Sequence, residues 1–157
     1  MLHDLCKLMA LNPVEPPARK ENIVPSLSEC KIFHFSRHGH ADDQDPLQSY
    51  LLVADKQQER LTVFNLLTIN LRESLPCLAY LSACGTGRIK DDSSVDEGVH
   101  LISACQLAGF QHVIGTLWEV NDEICLDIAR ITYNVIKEKG MEDGSVCWGF
   151  HRATTEL

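Results

Sequence analysis

A thiol and an imidazole occupy matching positions along this chain. Cys84 follows the apolar run Cys77-Leu78-Ala79-Tyr80-Leu81-Ser82 and Ala83, and precedes Gly85-Thr86-Gly87. His38 follows Lys31-Ile32-Phe33-His34-Phe35-Ser36 and Arg37, and precedes Gly39. A thiol beside an imidazole is the minimal apparatus for nucleophilic acyl transfer. The thiolate is the reactive form, and nearby N–H dipoles or a cation lower the thiol's pKa. The glycines let backbone N–H groups approach a ligand closely, where they could hold the oxyanion of a tetrahedral intermediate. At the histidine turn, the N–H of Gly39 is a candidate donor to a substrate carbonyl.

Such chemistry requires that the two turns lie side by side. Both apolar runs have strand length, and further strands are expected at 49–54 and 112–117. Helical spacing is expected at 64–74, 97–109, 122–139 and 143–156. Alternation of this kind predicts an α/β fold with a mostly parallel sheet and helices on its faces. In such sheets reactive side chains collect where strands end and loops begin. If the two strands are neighbours, His38 and Cys84 open onto one cleft. Upstream, residues 3–11 carry Leu5, Leu8 and Met9 at helical spacing. Asn12 to Pro25 contains Pro13, Pro16, Pro17 and Pro25 and is expected to be a linker or extended arm. The predicted division is therefore 1–30, an N-terminal helix and proline-rich linker, and 31–157, the chemistry-bearing domain. The last predicted helix runs to the terminus without a stop signal, so the chain is expected to be cut from something longer.

Composition narrows the partners. The chain has 157 residues, enough for one domain with a core. A net charge of -8 argues against a nucleic-acid backbone as ligand. No apolar stretch reaches membrane-spanning length, and the first residues lack the basic flank and apolar block of a signal peptide. A cytoplasmic (or nuclear) protein is expected, with no membrane partner. The seven cysteines show no CxxC spacing, which argues against zinc or a redox pair. Six of them are expected to act as small buried hydrophobes; Cys84 stands apart through its turn.

Other chemistries compete for the histidine segment. His34, His38, His40 and Asp42 form a ligand-rich cluster, and His38-Gly39-His40-Ala41-Asp42 approaches the HxHxDH signature of metallo-hydrolases. Asp43 stands where the third histidine belongs, and the expectation is no metal. Arg37-His38-Gly39 also matches the Arg-His-Gly signature of histidine phosphatases, but no downstream partner motif accompanies it. His34, inside the strand, is expected to be structural and to buttress the turn. Asp96 and Asp122 open helices, where a carboxylate caps free N–H groups; the alternatives are shaping of a cleft by Asp96 and selection of a basic side chain by Asp122.

The order of the pair is also informative. His38 lies about 46 residues upstream of Cys84, and caspase-type enzymes carry their histidine about 50 residues before the cysteine. The chain resembles the CHAT domain family of caspase-like cysteine peptidases, related to separases and caspases. His34-Phe35-Ser36-Arg37-His38-Gly39 matches that family's histidine motif, and Leu81 to Thr86 matches its Leu-Ser-Ala-Cys-x-Thr motif. Asp96-Glu97, Ala108-Gly109 and Thr116-Leu117-Trp118-Glu119-Val120-Asn121-Asp122 match the segments that follow, so the likeness spans about residues 31–156.

The resemblance implies a three-layer α/β/α caspase-like fold, with the family's N-terminal strands lacking here. It implies a cysteine endopeptidase in which Cys84 is the nucleophile and His38 the proton-transfer partner. The N–H groups of Gly39 and Cys84 would form the oxyanion hole. Ser82, Trp118, Glu119 and Asp122 would lie near the pocket for the residue before the cut. No metal or organic cofactor is implied. The partners implied are a protein or peptide substrate and a helical-repeat regulatory region. Arg37 departs from the small residue or cysteine usual before the histidine. That departure and the short length point to the alternative, a catalytically silent or truncated interaction module.

Overall fold

A computed structural model describes residues 6–7, 9–40, 42, 44–54, 58–82, 97–116, 120–142 and 144–157. The chain forms two compact units, Pro16–Glu119 and a second that combines Met1–Glu15 with Val120–Leu157. In the first, the elements run α1 (Lys20–Glu29), β1 (Ile32–Phe35), β2 (Gly39–His40), β3 (Tyr50–Ala54), β4 (Glu59–Thr62), α2 (Val63–Thr68), β5 (Leu78–Leu81), α3 (Glu97–Ala108) and β6 (His112–Gly115).

The apolar runs around 31–36, 77–82 and 112–117 form a parallel sheet in the order β1-β5-β6. All four residues of β5 are buried, as a central strand covered on both faces requires. Side chains alternate across the sheet. Phe35, Ala79 and Leu81 join Leu101, Ala104, Cys105 and Ala108 of α3 in one core. Each fully buried leucine there contributes about 1.5–3 kcal/mol relative to an exposed one. At the end of α3, Gly109 adopts φ +125°, and a Cβ there would stand 2.9 Å from the carbonyl carbon of Leu71. The Ala108-Gly109 turn is thus a place where only glycine fits closely.

Three features depart from the sequence expectation. First, the strand expected over 49–54 is not part of the parallel sheet. It is β3, the centre of a separate antiparallel sheet β2-β3-β4. Short connections cannot make a parallel crossover, which needs a dozen or more residues. The inner residues Leu51, Val53 and Leu61 still enter the same core. Second, the segment expected to be a linker carries α1 across Lys20–Glu29, with Pro25 inside it and Leu27 buried. Ser26 Oγ donates to the Asn22 carbonyl at 2.9 Å. Third, the helix expected over 64–74 ends at Thr68. Its start is fixed by a capping box in which Thr62 Oγ1 accepts the Asn65 N–H and Asn65 Oδ1 accepts the Thr62 N–H. Of the helix expected over 3–11, residues 3–5 and 8 lie outside the described residues; Cys6 and Lys7 are helical, and Met9 and Ala10 form a turn.

In the second unit, α4 (Asp122–Lys139) and α5 (Ser145–Glu156) pack against each other as an αα-hairpin. They cross closely at Gly149, where a Cβ would meet the Thr132 carbonyl oxygen at 2.8 Å. The cap of α4 is Asn121, whose Oδ1 accepts the Glu123 N–H at 2.8 Å; the capping role read for Asp122 belongs to its neighbour. No helix among the described residues is long and apolar enough to cross a membrane.

Candidate active site

The strands that precede His38 and Cys84 in sequence, β1 and β5, are neighbours in the parallel sheet. β1 and β5 pair with Ile32 opposite Leu78, Phe33 opposite Ala79, His34 opposite Tyr80 and Phe35 opposite Leu81. The Ser82 N–H donates to the Phe35 carbonyl at 2.8 Å, just past the end of that ladder. Three residues past Phe35 the chain reaches His38, and two past Ser82 it reaches Cys84.

His38 is exposed, and its backbone is held firmly. Its carbonyl accepts the Leu52 N–H from β3 at 2.8 Å. Gly39 then lies opposite Leu51, and His40 opposite Tyr50. In an antiparallel ladder, hydrogen-bonded and non-bonded pairs alternate. The bond between Leu52 and His38 makes 38/52 a bonded pair, so Gly39 belongs to a non-bonded one. Its N–H is therefore directed away from β3. A two-residue strand is a weak anchor, and β2 gains support from its side chains. The His40 ring lies 5.0 Å from that of Tyr50, and Arg60 of β4 sits 4.4 Å over the same Tyr50 ring.

Behind the turn, the imidazole of His34 stacks on Tyr80, with ring centroids 5.0 Å apart and planes within 8°. Burial lowers the His34 pKa from its ordinary 6.5 to about 4, so the ring is neutral at physiological pH. The structural role expected for His34 thus takes a definite form, a cross-strand stack.

The cluster that suggested metal binding is divided among other tasks. His34 faces Tyr80, and His40 faces Tyr50. Asp42 Oδ1 accepts the N–H groups of Gln44 and Asp45, which together with His40 hold its carboxyl below the usual range. Among the described residues no group of three or more His, Cys, Asp or Glu is arranged to hold a metal ion.

Of the other expected site residues, Ser82 is half-buried at the end of β5. Cys84, Trp118 and Glu119 lie outside the described residues, as does Asp96. Asp122 opens α4, and its side chain is also outside that set. Six cysteines are described, all thiols. Burial pushes Cys105 up to about 12 and Cys30 to about 11, and it also raises Cys77. Such groups are poor nucleophiles at neutral pH. Cys147 departs from the expected burial, being exposed on α5. A shallow cavity of about 400 Å³ is lined by Lys20, Gln48, Arg60, Thr62, Phe64 and Asn65 among others, Arg60 being the residue that also covers the Tyr50 ring.

Leu52, Tyr50 and Arg60 were not legible as supports of the histidine turn. The alternation Arg60-Leu61-Thr62 after Tyr50-Leu51-Leu52 is the one signal that could have shown a hairpin.

The fold is mixed α/β with a parallel sheet of order β1-β5-β6. The family model of the CHAT domain matches residues 11–145. The chain belongs to the CHAT domain family, a caspase-like family. No curated protein matches the chain.

Proposed function

We propose that the chain is a cysteine-type endopeptidase domain that cleaves a protein or peptide substrate through Cys84 and His38. The observation that carries this is the parallel pairing of β1 with β5, Phe35 opposite Leu81. In sequence, His38 and Cys84 follow the same ends of these two adjoining strands. Orientation of this kind supplies much of a catalyst's advantage.

Cys84 passes its thiol proton to the His38 imidazole and attacks the scissile carbonyl carbon through Sγ. The carbonyl oxygen takes up the negative charge and accepts hydrogen bonds from the N–H groups of Gly39 and Cys84. Collapse of this intermediate breaks the C–N bond, and His38 protonates the departing amine. A thioester remains. Water then attacks it, with His38 accepting the water's proton. The C–S bond breaks, the acid product leaves and the thiolate is restored. Ser82, Trp118 and Glu119 are proposed to shape the pocket for the residue before the cut. A cytoplasmic setting suits a free thiol nucleophile.

A peptidyl probe with a thiol-directed warhead tests the proposal. Labelling should be lost in Cys84→Ala and fall at least about a hundredfold in His38→Ala, the range general acid–base groups supply. Equal labelling of the wild type and His38→Ala would refute the dyad and favour a silent interaction module.

A further inference from the structure

The stacked rings of His34 and Tyr80 occupy a special place in the sheet. They are the last opposed pair on their face before β1 and β5 separate. The residues proposed to react stand four positions beyond each of them, His38 beyond His34 and Cys84 beyond Tyr80. On the opposite face the final pair is Phe35 with Leu81, both buried in the core. We propose that the His34–Tyr80 stack is a positioning pair that fixes the relative register of the two strand ends, and through it the spacing of Cys84 and His38. The inference rests on the dyad assigned above.

Three observations support it. The ring planes are nearly parallel at stacking distance, so a slide of one strand along the other separates them. A one-residue slip in register would also send every side chain of the strand to the wrong face, and the stack adds resistance to smaller displacements. Finally, each strand has only four paired residues, so a single cross-strand contact is a large share of what holds the ends. A buried aliphatic residue at 34 would fill the space without fixing the ring's angle. His34 and Tyr80 are positioning residues and not catalytic ones.

The test compares His34→Val, which removes the stack, with His34→Phe, which keeps a flat ring. Amide hydrogen exchange reads the strand ends directly. Ser82 donates to Phe35, Leu52 donates to His38, and Leu71 donates to Ala108 elsewhere in the same unit. In His34→Val the Ser82 and Leu52 amides should exchange about tenfold faster while Leu71 is unchanged, and His34→Phe should restore them. Peptide turnover should follow the same order, kcat falling in His34→Val with KM held.

Unchanged protection at Ser82 and Leu52 in His34→Val would overturn the proposal. So would equal acceleration at Leu71, which marks a general loss of stability, or a failure of His34→Phe to restore protection. If His34→Val does not fold, Tyr80→Leu against Tyr80→Phe makes the same comparison. A wild type whose turnover does not depend on His38 would refute the dyad, whereas the exchange arm decides the stack separately.

Discussion

Protonation of His34 should make this protein lose stability in a defined pH window. In the unfolded chain the imidazole takes a proton near pH 6.5, its ordinary value, and in the folded sheet burial holds it off until about pH 4. As pH falls below 6.5 the unfolded state binds the proton first, so stability declines. The decline continues to about pH 4 and stops there, because below it both states are protonated. The gap from 6.5 to about 4, at about 1.4 kcal/mol per pH unit, amounts to about 3 kcal/mol. Most of that should be lost by pH 4.5. His34→Phe keeps the ring against Tyr80 and removes the titration. Urea unfolding of both proteins at pH 7, 6, 5 and 4.5 isolates the effect, because other groups cancel in the difference. The wild type should fall relative to His34→Phe across this range. Parallel curves over this range would refute the burial of His34 as the cause.

Other perturbations probe the scaffold. Gly149→Ala places a methyl against the Thr132 carbonyl and should destabilise the α4–α5 hairpin by about 1–3 kcal/mol in thermal or urea unfolding. Thr62→Ala removes one arm of the capping box that starts α2 and should cost about 1 kcal/mol. Native alkylation followed by mass spectrometry should modify exposed Cys147 quickly, whereas Cys105 and Cys30, with thiols raised to about 12 and about 11, should react only after unfolding.

The strands of the parallel sheet were legible because buried strands read as short continuous apolar runs. The long helices were legible through their periodicity, and α4 spans the expected 122–139. The antiparallel sheet was hidden because β2 has two residues and β4 four, too few for period-two alternation to stand out. Pro25 disguised α1, since proline inside a helix removes a donor and ordinarily signals a break. The shortened α2 reflects local competition: Thr68 Oγ1 bonds the Asn65 carbonyl, and Asn70 Oδ1 accepts the Arg72 N–H. At the site, sequence order alone suggested that the two turns adjoin. The register that opposes His34 to Tyr80 depends on tertiary pairing and could not be read from either segment.

The structure of the chain with a peptidyl warhead bound would show whether Cys84 and His38 form a dyad. The expected result is a covalent bond at Cys84 Sγ, the His38 imidazole beside it in the same cleft, and the trapped oxygen within hydrogen-bond reach of the Gly39 N–H. A warhead bonded to another cysteine, or a His38 side chain separated from Cys84 by packed core, would contradict it.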